Sequence, residues 1–124
     1  MIDAAGIDER LYSNYLNQLA SVREVDFEAD RPHLSCEDVL DAHFLIGNHF
    51  LQLGEGIGGF GTKDPGLLSS AVARQVASVG QSYVYDDLWD IAATLLFGLI
   101  NNHPFYDANK RTAFLASVFF HVAK

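Results

Sequence analysis

The feature that most limits the fold is an uncharged run, residues 91–100, that is apolar on nearly every side of a helix. A helix of that kind is buried, so other elements have to surround it. The run is far shorter than the roughly 20 apolar residues that cross a bilayer. The sequence therefore predicts a central buried helix and no membrane span.

Apolar residues recur at helical spacing along most of the remaining chain. A capping box, Ser35 to Asp38, starts one such segment, and Gly54 can end it. Asp86 or Asp87 can cap the central helix. No segment shows a convincing strand ladder, so the predicted class is mainly α. Further helices are expected at residues 7–22, at residues 67–79 and from Asn109 to the end.

Length and charge restrict the class of protein further. The chain has 124 residues, which suits one domain with a sizeable core. Its 16 acidic residues outnumber 8 basic ones, and the net charge of -8 argues against nucleic acid as a partner. The single cysteine, Cys36, cannot form an internal disulfide, and no secretory leader pattern opens the sequence. We therefore expect a cytoplasmic protein.

The chemically richest segment is a polar loop, residues 103–111, expected between two buried helices. It combines a histidine, an acid, an amide and two cations. Pro104 forbids continuation of the preceding helix, and Phe105 can anchor the loop in the core. His103 would then be held rigidly at a helix end, where it can act as a general base.

The end of the polar loop predicts a phosphate site. Backbone N–H groups near Ala108, Asn109 and Lys110 would point out of the start of the last helix, where the dipole favours an anion. Lys110 and Arg111 add positive charge and a planar donor fork. Asp107 is placed to hold Mg²⁺, which prefers one or two carboxylates together with phosphate oxygens. The residues alone therefore indicate a metal–nucleotide site.

The other histidines and the cysteine carry no comparable pattern. His43 and His49 are six residues apart, on different faces of a helix. Together with His33 and His121 they are expected to be structural or exposed rather than zinc ligands. Cys36 stands near a helix start, which can lower a thiol pKa, but no partner at a suitable spacing suggests a nucleophile, and we expect it to be inert.

The stretch His-Pro-Phe-Tyr-Asp-Ala-Asn-Lys-Arg-Thr-Ala, residues 103–113, resembles the signature of the Fic/Doc family, in its death-on-curing branch. Residues 63–71 are similar to the Asp-x-Gly-Leu-Leu-Glu-Ser-Ala stretch of that branch, with Ser69 in place of Glu. The resemblance implies a Fic-type helical bundle, with the polar loop between two central helices and a glycine-rich flap. It divides the chain into an N-terminal helical segment or arm, residues 1–34, and a core, residues 35–124.

The resemblance also implies roles for the loop residues. The family binds a nucleoside triphosphate, here ATP with Mg²⁺, and modifies a hydroxyl on a target protein. His103 would take the proton from that hydroxyl, and Asp107 would bind Mg²⁺. Asn109 would orient phosphate or loop. Lys110 and Arg111 would neutralise the phosphates.

Departures from the family pattern bear on which group is transferred. AMP-transferring members resemble His-x-Phe-x-x-Gly-Asn-Gly-Arg-x-x-Arg, whereas this chain has Ala108, Lys110 and Phe114 in place of the two glycines and the final arginine. Members with lysine at this position are associated with transfer of the γ-phosphate to elongation factor Tu. The resemblance therefore favours a kinase-type toxin. AMP transfer and a catalytically silent module that binds nucleotide or antitoxin are the alternatives.

The resemblance has consequences for partners as well. The glycine-rich stretch through Lys63 and Asp64 would be the flap that docks the target's backbone. An inhibitory Ser/Thr-x-x-x-Glu-Gly helix is not matched, because Leu51 precedes Glu55-Gly56 where Ser or Thr should stand, so inhibition by an antitoxin in trans is expected. Few residues follow Arg111, so the core is expected to lack C-terminal helices. The sequence is then a fragment, or a partner or a second copy, as in a homo-oligomer, completes the core.

Overall fold

Helices make up most of the protein in a computed structural model that describes residues 6–25, 33–55, 59–76, 78–79, 82–83 and 88–123. The mainly α class is confirmed. The helices are α1 (Glu9–Ser21), α2 (Cys36–Gln52), α3 (Pro65–Ala73), α4 (Leu88–Asn102) and α5 (Asn109–Ala123). A 3₁₀ turn (Arg74–Val76) and two short strands, β1 (Ser78–Val79) and β2 (Ser82–Tyr83), lie between α3 and α4.

Helix α2 begins and ends as the sequence predicts. The Ser35 hydroxyl accepts a hydrogen bond from the Asp38 backbone N–H, and the Asp38 carboxylate accepts one from the Ser35 N–H, both at 3.0 Å. At the other end Gly54 adopts a φ of 77°, a left-handed conformation that glycine takes without steric cost. The residues at the start and at the end of α2 therefore determine its bounds locally, which is why the sequence alone predicts them.

The start of α2 also surrounds its cysteine with groups that disfavour the thiolate. The Glu24 carboxylate accepts a hydrogen bond from the Cys36 backbone N–H at 2.6 Å. Burial, together with the neighbouring Glu24 charge, raises the pKa of the Cys36 thiol to about 12. Desolvation therefore outweighs any lowering by the helix dipole, and the thiol stays protonated at neutral pH.

Helix α4 lies at the centre of the bundle, packed against α3 and α5, while α2 packs against α5 and α1. Its stripe of Ile91, Leu95 and Leu99 is buried, as predicted. The helix is central, as predicted, but other elements do not surround it on every side, because Trp89 and Phe97 are 70% and 57% exposed. No described helix is long and apolar enough to span a membrane.

The predicted helix over residues 67–79 is too long, and the chain forms a strand pair instead of its last part. The Gln75 side chain donates a hydrogen bond to the Val72 carbonyl at 3.0 Å, the group that a continuing helix would offer to residue 76. Ser78–Val79 then pairs antiparallel with Ser82–Tyr83. The proposed caps Asp86 and Asp87 lie outside the described residues.

Gln75 also fixes the chain that leads into α2. Its carboxamide is buried, accepting from the Leu34 N–H at 3.0 Å and donating to the Leu34 carbonyl at 2.9 Å. These two bonds satisfy a buried backbone segment that would otherwise lie unpaired beside the core.

We expect the substitution Gln75→Leu to lower the free energy of unfolding by about 1–3 kcal/mol, because the buried N–H and C=O of Leu34 lose their partners. Urea denaturation measures the change. The matched control is Ser70→Ala, an exposed position on α3 where a change of less than about 0.5 kcal/mol is expected. Equal stability of the two variants would contradict this role of Gln75.

Candidate active site

The loop between α4 and α5, residues 103–108, is called the motif loop below. Helix α4 ends at Asn102, and His103 follows with a φ of 48°, in the left-handed region. The ring of Phe105 is fully buried in the core. The predicted helix stop before Pro104 and the predicted anchoring by Phe105 are both confirmed, and they leave His103 exposed at the helix end.

A buried asparagine holds the motif loop in place. Asn109, the first residue of α5, accepts a hydrogen bond from the Phe105 N–H through Oδ1 and donates to the Phe105 carbonyl through Nδ2, both at 3.0 Å. The same Nδ2 lies 3.4 Å from His103 Nδ1, a contact too long to fix the tautomer of that ring. Of the two roles expected for Asn109, this geometry serves the orientation of the loop.

The last turn of the motif loop differs from the simple anion site that the sequence suggests. The Ala108 N–H donates to the Asp107 carboxylate at 2.7 Å and therefore already has an anionic acceptor. Ala108 has a φ of 63°, and its carbonyl accepts from the Thr112 N–H at 2.9 Å, which starts α5. The amides of Asn109 and Lys110, in the first turn of α5, have no carbonyl partner within the helix.

The residues predicted to carry the chemistry line one open cavity of about 430 Å³ at the start of α5. Lys110 and Arg111 are exposed and bring two positive charges to its wall. Asp107 lines the same cavity, and its carboxylate is the kind of hard oxygen donor that Mg²⁺ prefers, so the residues present fit the expected metal. The lining consists of His103, Tyr106, Asp107, Ala108, Asn109, Lys110 and Arg111.

Residues 59–64, called the flap segment below, run alongside the motif loop. Thr62 forms an antiparallel bridge with Phe105, and the Lys63 N–H donates to the Pro104 carbonyl at 2.8 Å. The structure thus brings Lys63 next to the loop that carries His103. Asp64 does something else, because its carboxylate caps α3 by accepting from the Gly66 N–H at 2.8 Å.

A histidine that the sequence predicts to be structural or exposed connects these parts, and it is structural. His43 is buried on α2, with its ring stacked between Phe60, at 4.8 Å, and Phe105, at 3.9 Å between ring centroids. Its Nε2 accepts from the Gly61 N–H, and its Nδ1 contacts the Thr112 hydroxyl, both at 3.0 Å. One side chain therefore joins α2, the flap segment, the motif loop and α5.

These contacts fix the protonation of His43. Because the Gly61 N–H donates to Nε2, that nitrogen carries no proton, and Nδ1–H donates to Thr112. Burial lowers the pKa of His43 to about 3, although the Asp107 charge acts in the opposite direction. The sequence did contain a signal: His43 stands four residues after the buried Val39, on the apolar face of α2.

Comparison with known proteins identifies the family. The model of the Fic/DOC family matches residues 33–121, and the chain belongs to this family. The family resemblance and the Fic-type helical fold are thereby confirmed.

Two curated relatives resemble the chain. It is 47% identical over 91 residues to a protein named Toxin Doc from Mycolicibacterium smegmatis, covering 73% of this chain and 63% of that protein. It is 33% identical over 88 residues to Protein kinase doc of Escherichia phage P1, covering 71% and 64%. The chain thus spans less than two thirds of the length of these relatives. No solved structure gave a significant match.

The buried neutral His43 predicts acid sensitivity. Below pH 6.5 the unfolded chain binds a proton at this histidine while the folded chain does not, until the pH approaches 3. The free energy of unfolding should therefore fall with decreasing pH, by up to about 1.4 kcal/mol per unit from this group. Urea titrations at several pH values measure the slope. His43→Gln should flatten it between pH 4 and 6, and the control His49→Gln, at an exposed position, should not. The same slope in both variants would show that His43 is not the group responsible.

Proposed function

We propose that the protein is a Doc-type toxin that transfers the γ-phosphate of ATP to a hydroxyl of a target protein. The observation that carries the proposal is the cavity in which a histidine, a carboxylate and two cations meet at a helix start. Such a wall suits a polyanion whose reacting end faces a base. Membership of the Fic/DOC family and the relative named Toxin Doc support a Doc-type toxin, and the relative named Protein kinase doc supports transfer of a phosphate.

In this reaction His103 accepts the proton of the target hydroxyl as its oxygen forms a bond to the γ-phosphorus. The bond between that phosphorus and the oxygen of the leaving ADP breaks, so the products are a phosphorylated protein, ADP and a proton on His103. Lys110 and Arg111 offset the negative charge of the phosphates, and the first-turn amides of α5 orient them. Asp107 would hold Mg²⁺, which supplies further neutralisation of the phosphates when bound.

The proposal includes the partners that the family resemblance implies. The target is elongation factor Tu, and the flap segment docks its backbone beside His103. An antitoxin inhibits the enzyme in trans, as the name of the relative Toxin Doc suggests. The reaction takes place in the cytoplasm, where ATP and the translation factor are available.

Parallel labelling experiments test the reaction. The protein is incubated with a cell lysate or with purified elongation factor Tu, in each case with either γ-labelled or α-labelled ATP, and the products are separated on a gel. Label from the γ-position alone supports the proposal. Label from the α-position would show AMP transfer, and no label from either would show a silent binding module.

We expect His103→Ala to reduce the rate of transfer roughly 10²- to 10⁴-fold, the usual loss for a general base. Stability should change little, because the His103 side chain is exposed. The matched control is His121→Ala, an exposed histidine near the far end of α5. The initial rate of labelling measures the effect. A folded His103→Ala protein that transfers label at the parental rate would rule out this mechanism.

We expect Asp107→Asn to weaken binding of Mg-ATP about tenfold, or about 1.4 kcal/mol, because an anionic oxygen ligand is lost. The asparagine can still accept the Ala108 N–H, so the loop should keep its shape. Calorimetric titration measures the affinity. In EDTA, free ATP should bind the variant at least as tightly as the parent, because a repulsive charge has been removed. Equal affinity for Mg-ATP would contradict the assignment of Asp107 to the metal.

A further inference from the structure

Helix α1 makes a polar contact with the flap segment through one side chain. Gln18 Oε1 accepts hydrogen bonds from both the backbone N–H and the hydroxyl of Thr62, each at 3.0 Å. The sequence separation is 44 residues, so the contact is a tertiary one. Helix α1 precedes residues 33–121, where the family model matches, and Thr62 lies within them.

The backbone groups of the flap segment point alternately towards the motif loop and towards α1. The Gly61 carbonyl accepts from the Tyr106 N–H at 3.2 Å, and the Lys63 N–H donates to the Pro104 carbonyl at 2.8 Å. Both groups face the motif loop. Successive residues of an extended chain direct these groups to opposite edges, so the Thr62 N–H faces away from the motif loop and towards α1. Gln18 thus fills the outer edge of the flap segment.

The backbone is shaped to admit the glutamine. Gly61 has a φ of 104°, and a Cβ atom there would lie 2.5 Å from the Gln18 carboxamide. A side chain at position 61 would therefore require the carboxamide of Gln18 or the flap segment to shift. The close approach therefore depends on a glycine for two reasons, backbone conformation and space.

The helix that carries Gln18 is itself held firmly. The Tyr15 hydroxyl donates to the Asp41 carboxylate of α2. The N-cap residue of α1, Asp8, donates its N–H to the Asn48 side chain at 3.0 Å, also on α2. Because α1 is bound to α2 in this way, the hydrogen bonds to Gln18 fix the position of the flap segment relative to α2.

We propose that Gln18 is a positioning residue for target docking, which holds the flap segment at the distance from His103 that the target hydroxyl requires. The inference rests on the proposed function, in which the flap segment docks the target. Thr62 is next to Lys63, whose N–H donates to the carbonyl of Pro104, the residue after His103. A shift at Thr62 is therefore transmitted towards the reacting histidine through Lys63 and Pro104. Gln18 does not line the nucleotide cavity and acts only through the flap segment.

Two substitutions separate the hydrogen bonds from the packing. Gln18→Met keeps the length of the side chain but offers no carboxamide oxygen. Gln18→Glu keeps an acceptor oxygen for both donors of Thr62. The control is Asn17→Ala, at the neighbouring exposed position of α1.

The first measurement is hydrogen exchange of the Thr62 and Lys63 amides by NMR, which needs no activity. Gln18→Met should exchange both amides roughly fivefold to tenfold faster, as expected for the loss of about 1 kcal/mol of hydrogen bonding. Gln18→Glu and Asn17→Ala should retain the parental protection. Parental protection in Gln18→Met would overturn the inference.

The second measurement is steady-state phosphorylation of elongation factor Tu. In Gln18→Met the KM for the target should rise by a similar factor, roughly fivefold to tenfold, while the KM for ATP stays at the parental value. Gln18→Glu should restore the KM for the target, which a merely structural role would not predict. An unchanged target KM in an active Gln18→Met enzyme would overturn the inference. If the parent labels no target, the proposed function fails by itself, and the exchange rates still decide whether Gln18 holds the flap segment.

Discussion

The structure depends on the neutral imidazole of His43. Its two nitrogens serve one donor and one acceptor, the Gly61 N–H and the Thr112 hydroxyl, and its faces stack on Phe60 and Phe105. A protonated ring would offer two donors and no acceptor, so the bond to the flap segment would be lost. The packing of the flap segment against the motif loop and α5 therefore requires a histidine without charge, which burial provides.

The local pattern of residues predicted most helices and the position of the candidate site. Contacts between segments that are distant in the sequence could not be predicted from it. The Ser35 capping box, the stop at Pro104 and the clustering of functional residues in one loop follow from neighbours in the chain. The early end of α3 could not be predicted from chain neighbours, since it depends on the hydrogen bonds of the Gln75 side chain to Val72 and Leu34. The hydrogen bond between Gln18 and Thr62 could not be predicted from the sequence either, because only the fold brings those residues together.

Charge is distributed so that the cavity differs from the chain as a whole. The net charge of -8 opposes the binding of an anion, yet Lys110 and Arg111 stand together at the cavity wall. At physiological ionic strength interactions between exposed charges are largely screened beyond about 8 Å. The groups of the cavity itself, namely the two cations, the first-turn amides of α5 and the Asp107 carboxylate, therefore set the field at the proposed phosphate position. Distant carboxylates act mainly on the approach of an anion from solution.

Two residues with positive φ, His103 and Ala108, stand at the two ends of the motif loop. In residues other than glycine this conformation costs about 1–2 kcal/mol, and here the hydrogen bonds between Asn109 and Phe105 offset that cost. The AMP-transferring pattern has glycine where this chain has Ala108, and a glycine would adopt the same bend without strain. The path of the backbone can thus be common to both patterns. The proposed preference for the γ-phosphate then has to originate in the side chains of the loop and of the start of α5, above all in the ammonium group of Lys110, which lines the cavity.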